Sequence, residues 1–188
     1  MRSFFKKLLR SLAYNFYKHR DFLTPYERFE KEEIQESYKY FSKFFLETVH
    51  FKNENDIRAY SVKSSIDYIK KNKLIFDQYL FLEFGVYKGG SINFLANFLK
   101  NHNTHIYGFD TFEGFTEDWK GTFRLSGDYS NKSLLPKVSG NVKLIKGPVQ
   151  KTIDKFILEN KNKKIIFIHF DMDTYESTNF VIKKIKHL

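Results

Sequence analysis

A chain of 188 residues with 41% hydrophobic and 29% charged residues has the size and composition of one globular domain with a sizeable core. It contains no cysteine, which excludes a disulfide framework or a thiolate metal site and fits the cytoplasm. No apolar run is long enough to span a bilayer, and no cleavable signal pattern is present. The net charge of +10 suits an anionic partner or, more simply, lysine-rich solvated faces in a chain rich in Asn, Lys, Ile and Phe.

Residues 3–20 repeat paired apolar positions (Phe4, Phe5, Leu8, Leu9, Leu12, Ala13, Phe16, Tyr17) with Arg2, Lys6, Lys7, Arg10, Lys18 and Arg20 largely between them. This pattern predicts an amphipathic basic helix. Such a helix suits peripheral contact with an anionic membrane at the inner surface, or packing on the rest of the chain or on a second copy in a homo-oligomer. Thr24-Pro25-Tyr26-Glu27 is a helix start: Thr24 caps, Pro25 takes the first helical position and Glu27 completes a capping box. The helix is expected to run to about His50 and to bury Phe29, Ile34, Tyr38, Phe41, Phe45 and Val49. After a polar break at residues 52–56, a further helix is expected over about Ile57–Lys71. Residues 1–72 thus read as a helical extension without strands, which argues against OB-fold or RRM recognition of nucleic acid.

From residue 73 onward the periodicity changes. Leu80–Val86 is a short apolar run with one acid inside it, bounded by glycines, as in a buried parallel strand ending in a tight turn. Ser91–Lys100 has helical spacing of Ile92, Phe94, Leu95, Phe98 and Leu99. Strand, glycine turn and helix form a unit in which Gly85 turns the backbone, and Gly89 and Gly90 allow a ligand to approach a helix N-terminus. Tyr87 stands where the dinucleotide fingerprint G-x-G-x-x-G has its second glycine, which argues against an NAD site.

His105–Asp110 reads as a second strand whose terminal carboxylate lies 27 residues after Glu83. Such an acid can accept both ribose hydroxyls of a nucleoside, although alone it is equally a solvated strand end. Residues 116–141 show little periodicity and read as a lid or binding loop. Val142–Gly147 is a third strand, followed by a helix ending near Asn160. Lys164–Asp171 is a fourth strand, leading to Asp173 and a last helix over about Tyr175–His187. Asp171 and Asp173, two residues apart at a strand end, can converge on one pocket and would suit a hard cation such as Mg²⁺. Alternatively, Asp173 or Thr174 merely caps the last helix. His169 shares the side of Asp171, with a hydrogen-bonded core position as its expected place.

Three of these stretches carry a resemblance. Glu83-x-Gly85-x-x-x-Gly89 resembles the first motif of class I S-adenosylmethionine (SAM) methyltransferases, E/D-x-G-x-G-x-G. In the form E-x-G-V-x-x-G-G-S it is similar to the macrocin O-methyltransferase-like family, which methylates sugar hydroxyls. Asp110-Thr111-Phe112-Glu113-Gly114-Phe115 resembles that family's D-S-F-E-G-L/F, with Thr111 for serine. Asp171-Met172-Asp173-Thr174-Tyr175-Glu176-Ser177-Thr178 resembles its D-x-D-x-Y-E-S-T. Gly147-Pro148-Val149 departs from the family's usual glycine and aromatic at the adenine edge.

The resemblance implies an α/β Rossmann-like methyltransferase domain over 73–188, with a partial parallel sheet of order 3-2-1-4 behind the N-terminal helical extension. It implies SAM held by Glu83, Gly85, Val86, Tyr87, Gly89, Ser91, Asp110, Thr111, Phe112 and Gly147, a Mg²⁺ ligand at Asp171 and a general base at Asp173. The acceptor it implies is a sugar hydroxyl of a small molecule or glycan, with no nucleic acid partner. The resemblance covers Leu80–Leu188, and the family's sheet has three further strands. The chain is therefore expected to lack the C-terminal part of such a domain and to leave an apolar edge on its fourth strand. A non-catalytic SAM-binding module or subunit is the alternative that the same residues allow.

Overall fold

The computed structural model describes residues 8, 9, 12, 13, 15, 23–115 and 126–186. The chain divides into two compact units, Met1–Phe51 and Lys52–Leu188. In the first, Leu8, Leu9, Leu12, Ala13 and Asn15 are helical, and most of the expected amphipathic helix over 3–20, with its membrane face, lies outside the described residues. Helix α1 (Pro25–Phe41) starts as expected. The Glu27 amide donates to Thr24 Oγ1 at 3.3 Å while the Glu27 carboxylate accepts from the Thr24 amide at 2.8 Å, a reciprocal cap worth about 0.5–2 kcal/mol.

The helix ends earlier than the sequence predicts, passing into a 3-10 turn at Ser42–Phe44. Phe29, Ile34, Tyr38, Phe41, Phe45 and Val49, expected to be buried, are exposed. An apolar helical stripe needs a second layer to bury it, and the described residues of this unit do not cover this one. Among the described residues no helix is long and apolar enough to cross a membrane.

The second unit begins with α2 (Glu54–Lys71), capped by the Asn53 side chain on the Asp56 amide at 2.9 Å. The sequence boundary at residue 72 therefore differs from the unit boundary at residue 51. The difference is α2 itself, whose Val62, Ile66 and Ile69 are buried in the core of the sheet domain. Four parallel strands follow, β1 (Tyr79–Phe84), β2 (Ile106–Asp110), β3 (Val142–Lys146) and β4 (Lys164–Phe170), in the order β3-β2-β1-β4. Between them run α3 (Gly90–Leu99), α4 (Val149–Glu159) and α5 (Tyr175–Ile185).

Strand alternation divides the core. Phe81 points to one face with Ile92, Leu95 and Leu99 of α3 and the α2 residues; Leu80, Leu82 and Phe84 point to the other, with Ile153 and Phe156 of α4 and Val181 and Ile185 of α5. Helices thus cover both faces of the sheet, as parallel strands require. Each large side chain fully buried in this way contributes about 1.5–3 kcal/mol of transfer free energy. Glu83 falls on the Phe81 face, in the centre of the sheet, and is completely buried. The fold is the Rossmann-like methyltransferase fold that the motifs imply.

Candidate functional site

At the C-terminal ends of the strands the chain leaves a cavity of about 520 Å³, within the range of small-molecule sites. Its wall comes from the turn after β1 (Gly85–Lys88), the start of α3 (Gly90, Ser91), the end of β2 and the residues after it (Phe109–Thr111, Gly114, Phe115), Tyr129, Gly147–Gln150, and Asp171–Thr174 with Ser177. Arg58 of α2 completes it.

The floor is a turn that only one residue type permits. Gly85 has φ +91°, its amide donates to the Phe109 carbonyl at 2.9 Å, and a Cβ there would collide with the Asp171 carbonyl group. The Asp171 amide in turn donates to the Phe84 carbonyl at 2.8 Å. Strands β1, β2 and β4 are thereby locked together where the ligand site opens. Gly89 (φ +82°) is the N-cap of α3, closed by its amide on the Val86 carbonyl at 2.8 Å.

Asp110 is the hub of the turns after β1 and β2. Its Oδ2 accepts from the amides of Val86 and Tyr87, each at 2.7 Å, and its Oδ1 from the Phe112 amide at 2.6 Å. An ionised carboxylate offers about four acceptor directions. Asp110 therefore first builds the two turns, and roughly one direction is left for a ligand hydroxyl. Thr111 Oγ1 accepts from the Glu113 amide at 3.1 Å and lies 3.3 Å from the Gly114 carbonyl, so this side chain also shapes its loop.

Glu83 does not line the cavity. Its carboxylate accepts from Ser91 Oγ at 2.8 Å, and His169 Nδ1 lies 3.2 Å from its other oxygen. A buried carboxylate needs such partners to remain charged. Glu83 thus ties the start of α3 to β4, and Ser91 and His169 are its two links. His169 takes the hydrogen-bonded, half-buried place expected of it.

Of the residues singled out from the sequence, the cavity brings together Gly85, Val86, Tyr87, Ser91, Asp110, Thr111, Gly147, Asp171 and Asp173. Glu83, Gly89 and Phe112 stand behind its wall. Phe112 has φ +59° and a fully buried side chain in the core, packed beneath the loop it belongs to. Thr174 is the N-cap of α5 with no side-chain capping bond. Arg58 was missed, and Tyr129, an aromatic that could cover a sugar face, was left out of the site because no spacing rule marks it. Tyr129 meets Tyr87 and Phe115 edge-on, with ring centroids 5.4 and 5.3 Å apart. It lies in a stretch without periodicity, and only a general bias of aromatics towards binding loops pointed there.

Among the described residues no three carboxylate, imidazole or thiol side chains come together as metal ligands. Asp171 and Asp173 offer two carboxylates, an incomplete donor set for Mg²⁺ from this chain alone.

Comparison with known proteins agrees with this geometry. A sequence model of a family described as a methyltransferase domain matches residues 82–188. Among solved structures, the calicheamicin methyltransferase CalS11 superposes with a TM-score of 0.54 at 18% identity, covering 88% of this chain and 75% of its own. A ligand-free structure of CalS11, titled a TDP-rhamnose 3′-O-methyltransferase, gives a TM-score of 0.42 at 21% identity with the same coverage of each chain. The O-methyltransferase NovP gives a TM-score of 0.46 at 16% identity, covering 69% of this chain and 59% of that one. No curated protein matches the chain. With the match over more than half its length and the fold described above, the chain belongs to the methyltransferase-domain family and is a SAM-dependent methyltransferase.

Proposed function

We propose that the chain transfers the methyl group of SAM to a hydroxyl of a sugar acceptor. The observation that carries this reading is one cavity holding both the Gly85–Asp110 turn system and the Asp171–Asp173 pair. The sugar class rests on the E-x-G-V-x-x-G-G-S, D-T-F-E-G-F and D-x-D-x-Y-E-S-T motifs, which resemble those of sugar O-methyltransferases.

Bound SAM supplies a methyl group on a sulfonium, which an in-line attack by oxygen transfers with the bonding pair of the breaking S–C bond passing to sulfur. The protein's own part is positioning and proton handling. Asp110 accepts from a ribose hydroxyl with its remaining lone pair, and the Val86–Tyr87 turn that it stabilises lines the ligand. Thr111 and Gly147 line the nucleoside side, where Pro148, Val149 and Gln150 continue the wall. Asp171 and Asp173 face the acceptor. Asp171 orients its hydroxyl by accepting a hydrogen bond, and Asp173 takes the proton as the C–O bond forms. Closing the cavity against water strengthens both interactions.

The test is methyl transfer from isotopically labelled SAM to a panel of free, nucleotide-linked and glycan sugars, beside an Asp173→Asn variant. Transfer to a sugar hydroxyl that the variant loses supports the proposal. Saturable SAM binding with no transfer to any sugar would overturn the sugar acceptor.

A further inference from the structure

One cation in the cavity wall has no part in the scheme above. Arg58 projects from α2 into the site, and its side chain is only 19% exposed. Its Nε lies 3.5 Å from His169 Nε2, and its Nη1 lies 3.1 Å from Glu54. A guanidinium N–H can be donated only to a nitrogen with a lone pair. The Arg58 contact is favourable in the tautomer that carries its proton on Nδ1, towards Glu83. Glu83, His169 and Arg58 form a chain in which a buried carboxylate orients an imidazole and the imidazole orients a guanidinium. The Glu54 partner is 81% exposed, and a solvent-facing ion pair of this kind contributes little and is readily exchanged.

The position of this cation along the sheet decides its ligand. His169 pairs in register with Glu83, so Arg58 stands over the seam between β1 and β4. Asp110 lies on β2, on the opposite side of β1. A SAM molecule with its ribose at Asp110 and its sulfonium facing Asp171 and Asp173 has its amino-acid arm over that seam. The arm ends in a carboxylate, and the surrounding carboxylates repel it. Lys88, the other cation of the wall among the described residues, is on the turn and lies 4.9 Å above the Tyr87 ring.

We infer that Arg58, oriented by His169 and Glu83, binds the methionine carboxylate of SAM. The assignment rests on the cofactor reading above and names the partner of one group of that ligand. Two parallel N–H groups of a guanidinium match the two oxygens of a carboxylate, which a lysine cannot reproduce. Glu54 is displaced when the carboxylate arrives. His169 is a positioning residue: it touches Arg58, not the ligand.

The test is calorimetric titration of the full chain with SAM, with decarboxylated SAM and with 5′-methylthioadenosine, which lacks the whole amino-acid arm. Wild type, Arg58→Met, Arg58→Lys and His169→Phe are compared, with folding checked by circular dichroism. Wild type is expected to prefer SAM over its decarboxylated form by about 10- to 100-fold, the usual worth of a charged hydrogen-bonded pair. Arg58→Met abolishes that preference and leaves 5′-methylthioadenosine binding unchanged; Arg58→Lys restores part of it. His169→Phe reduces the preference several-fold, a ratio that a merely structural loss leaves intact. Equal weakening of all three ligands in Arg58→Met, or an unchanged SAM preference, would overturn the assignment while sparing the cofactor reading. An effect of Arg58→Met on acceptor KM alone would place an acceptor anion there and also overturn it. If folded wild type binds none of the three, the cofactor reading falls and the assignment falls with it.

Discussion

Gly85 and Asp171 approach so closely across the β1–β4 seam that the space for a Cβ on Gly85 is already filled by the Asp171 carbonyl. Replacing Gly85 by alanine adds this collision to the strain of a side chain at φ +91°. The expected loss is about 2–5 kcal/mol of stability, read as a lower denaturant midpoint in equilibrium unfolding. Gly90→Ala is the contrasting substitution. Nothing lies within 4 Å of a Cβ there, and its stability is expected to remain unchanged or to rise slightly.

Asp110→Asn keeps the shape of the side chain but turns one acceptor oxygen into a donor. Either the Phe112 amide or the Val86 and Tyr87 amides then face an NH₂ group. Stability should fall by about 1–3 kcal/mol, and SAM affinity should fall with it. Denaturation and calorimetry on the same preparation check both. Loss of affinity at full stability would mean that Asp110 acts on the ligand alone.

Asp173→Asn should separate binding from chemistry. Methyl transfer is expected to slow by about 10²–10⁴-fold, the usual range for removal of a general base, while the dissociation constant for SAM stays nearly constant. Single-turnover measurements with SAM in excess read the chemical step directly.

Two histidines remote from the site contribute to the loss of stability in acid. Burial holds both His102 and His105 below the ordinary histidine pKa of 6.5; the charge of Lys70 adds to this for His102, and those of Lys143 and Lys163 for His105. The folded state therefore binds fewer protons than the unfolded state once pH falls towards 6.5 and below. Unfolding free energy then declines with falling pH, and the contribution is fully present above that value. His102 also stacks on Phe76 with centroids 4.2 Å apart. His102→Gln combined with His105→Gln should flatten the fall in melting temperature between about pH 7 and pH 5, measured by thermal scans.

Removal of divalent ions should leave SAM affinity unchanged. The groups assigned to the cofactor (the Gly85 turn, Asp110, Arg58) use hydrogen bonds and one guanidinium. Calorimetry with and without a chelator checks this.

The sheet was legible because its strands are short, β-branched or aromatic runs ended by glycine or an acid, and helical spacing resumes between them. All four strands appear where the residues place them, with ends shifted by at most two positions, and their order is the one the resemblance implied. The site was legible in part. Gly85 and Asp110 announce themselves by type and separation. Glu83 also stood out, as an acid inside an apolar run. A sequence cannot tell a carboxylate aimed at a ligand from one buried beneath it, and its true contacts, Ser91 and His169, depend on the β1–β4 register. Phe112 sits in a motif but points into the core, because a positive φ reverses its direction. Arg58 is one arginine on a helical face that precedes the sheet, and no local spacing marks it. The overlong α1 in the sequence reading came from an apolar stripe that continues past Phe41, where periodicity persists but the helix does not.

The bonds of Asp110 to the Val86 and Tyr87 amides have a kinetic side. They close over 24 and 23 residues, whereas His169 reaches Glu83 across 86. Short closures form sooner because they forfeit less chain freedom. During synthesis from the N-terminus, the nucleoside end of the pocket can take shape while β4 is still being added. Asp171 and Asp173 follow β4 and enter the pocket after those turns. A nascent chain can therefore set the Asp110 turns before β4 supplies His169 and Asp171.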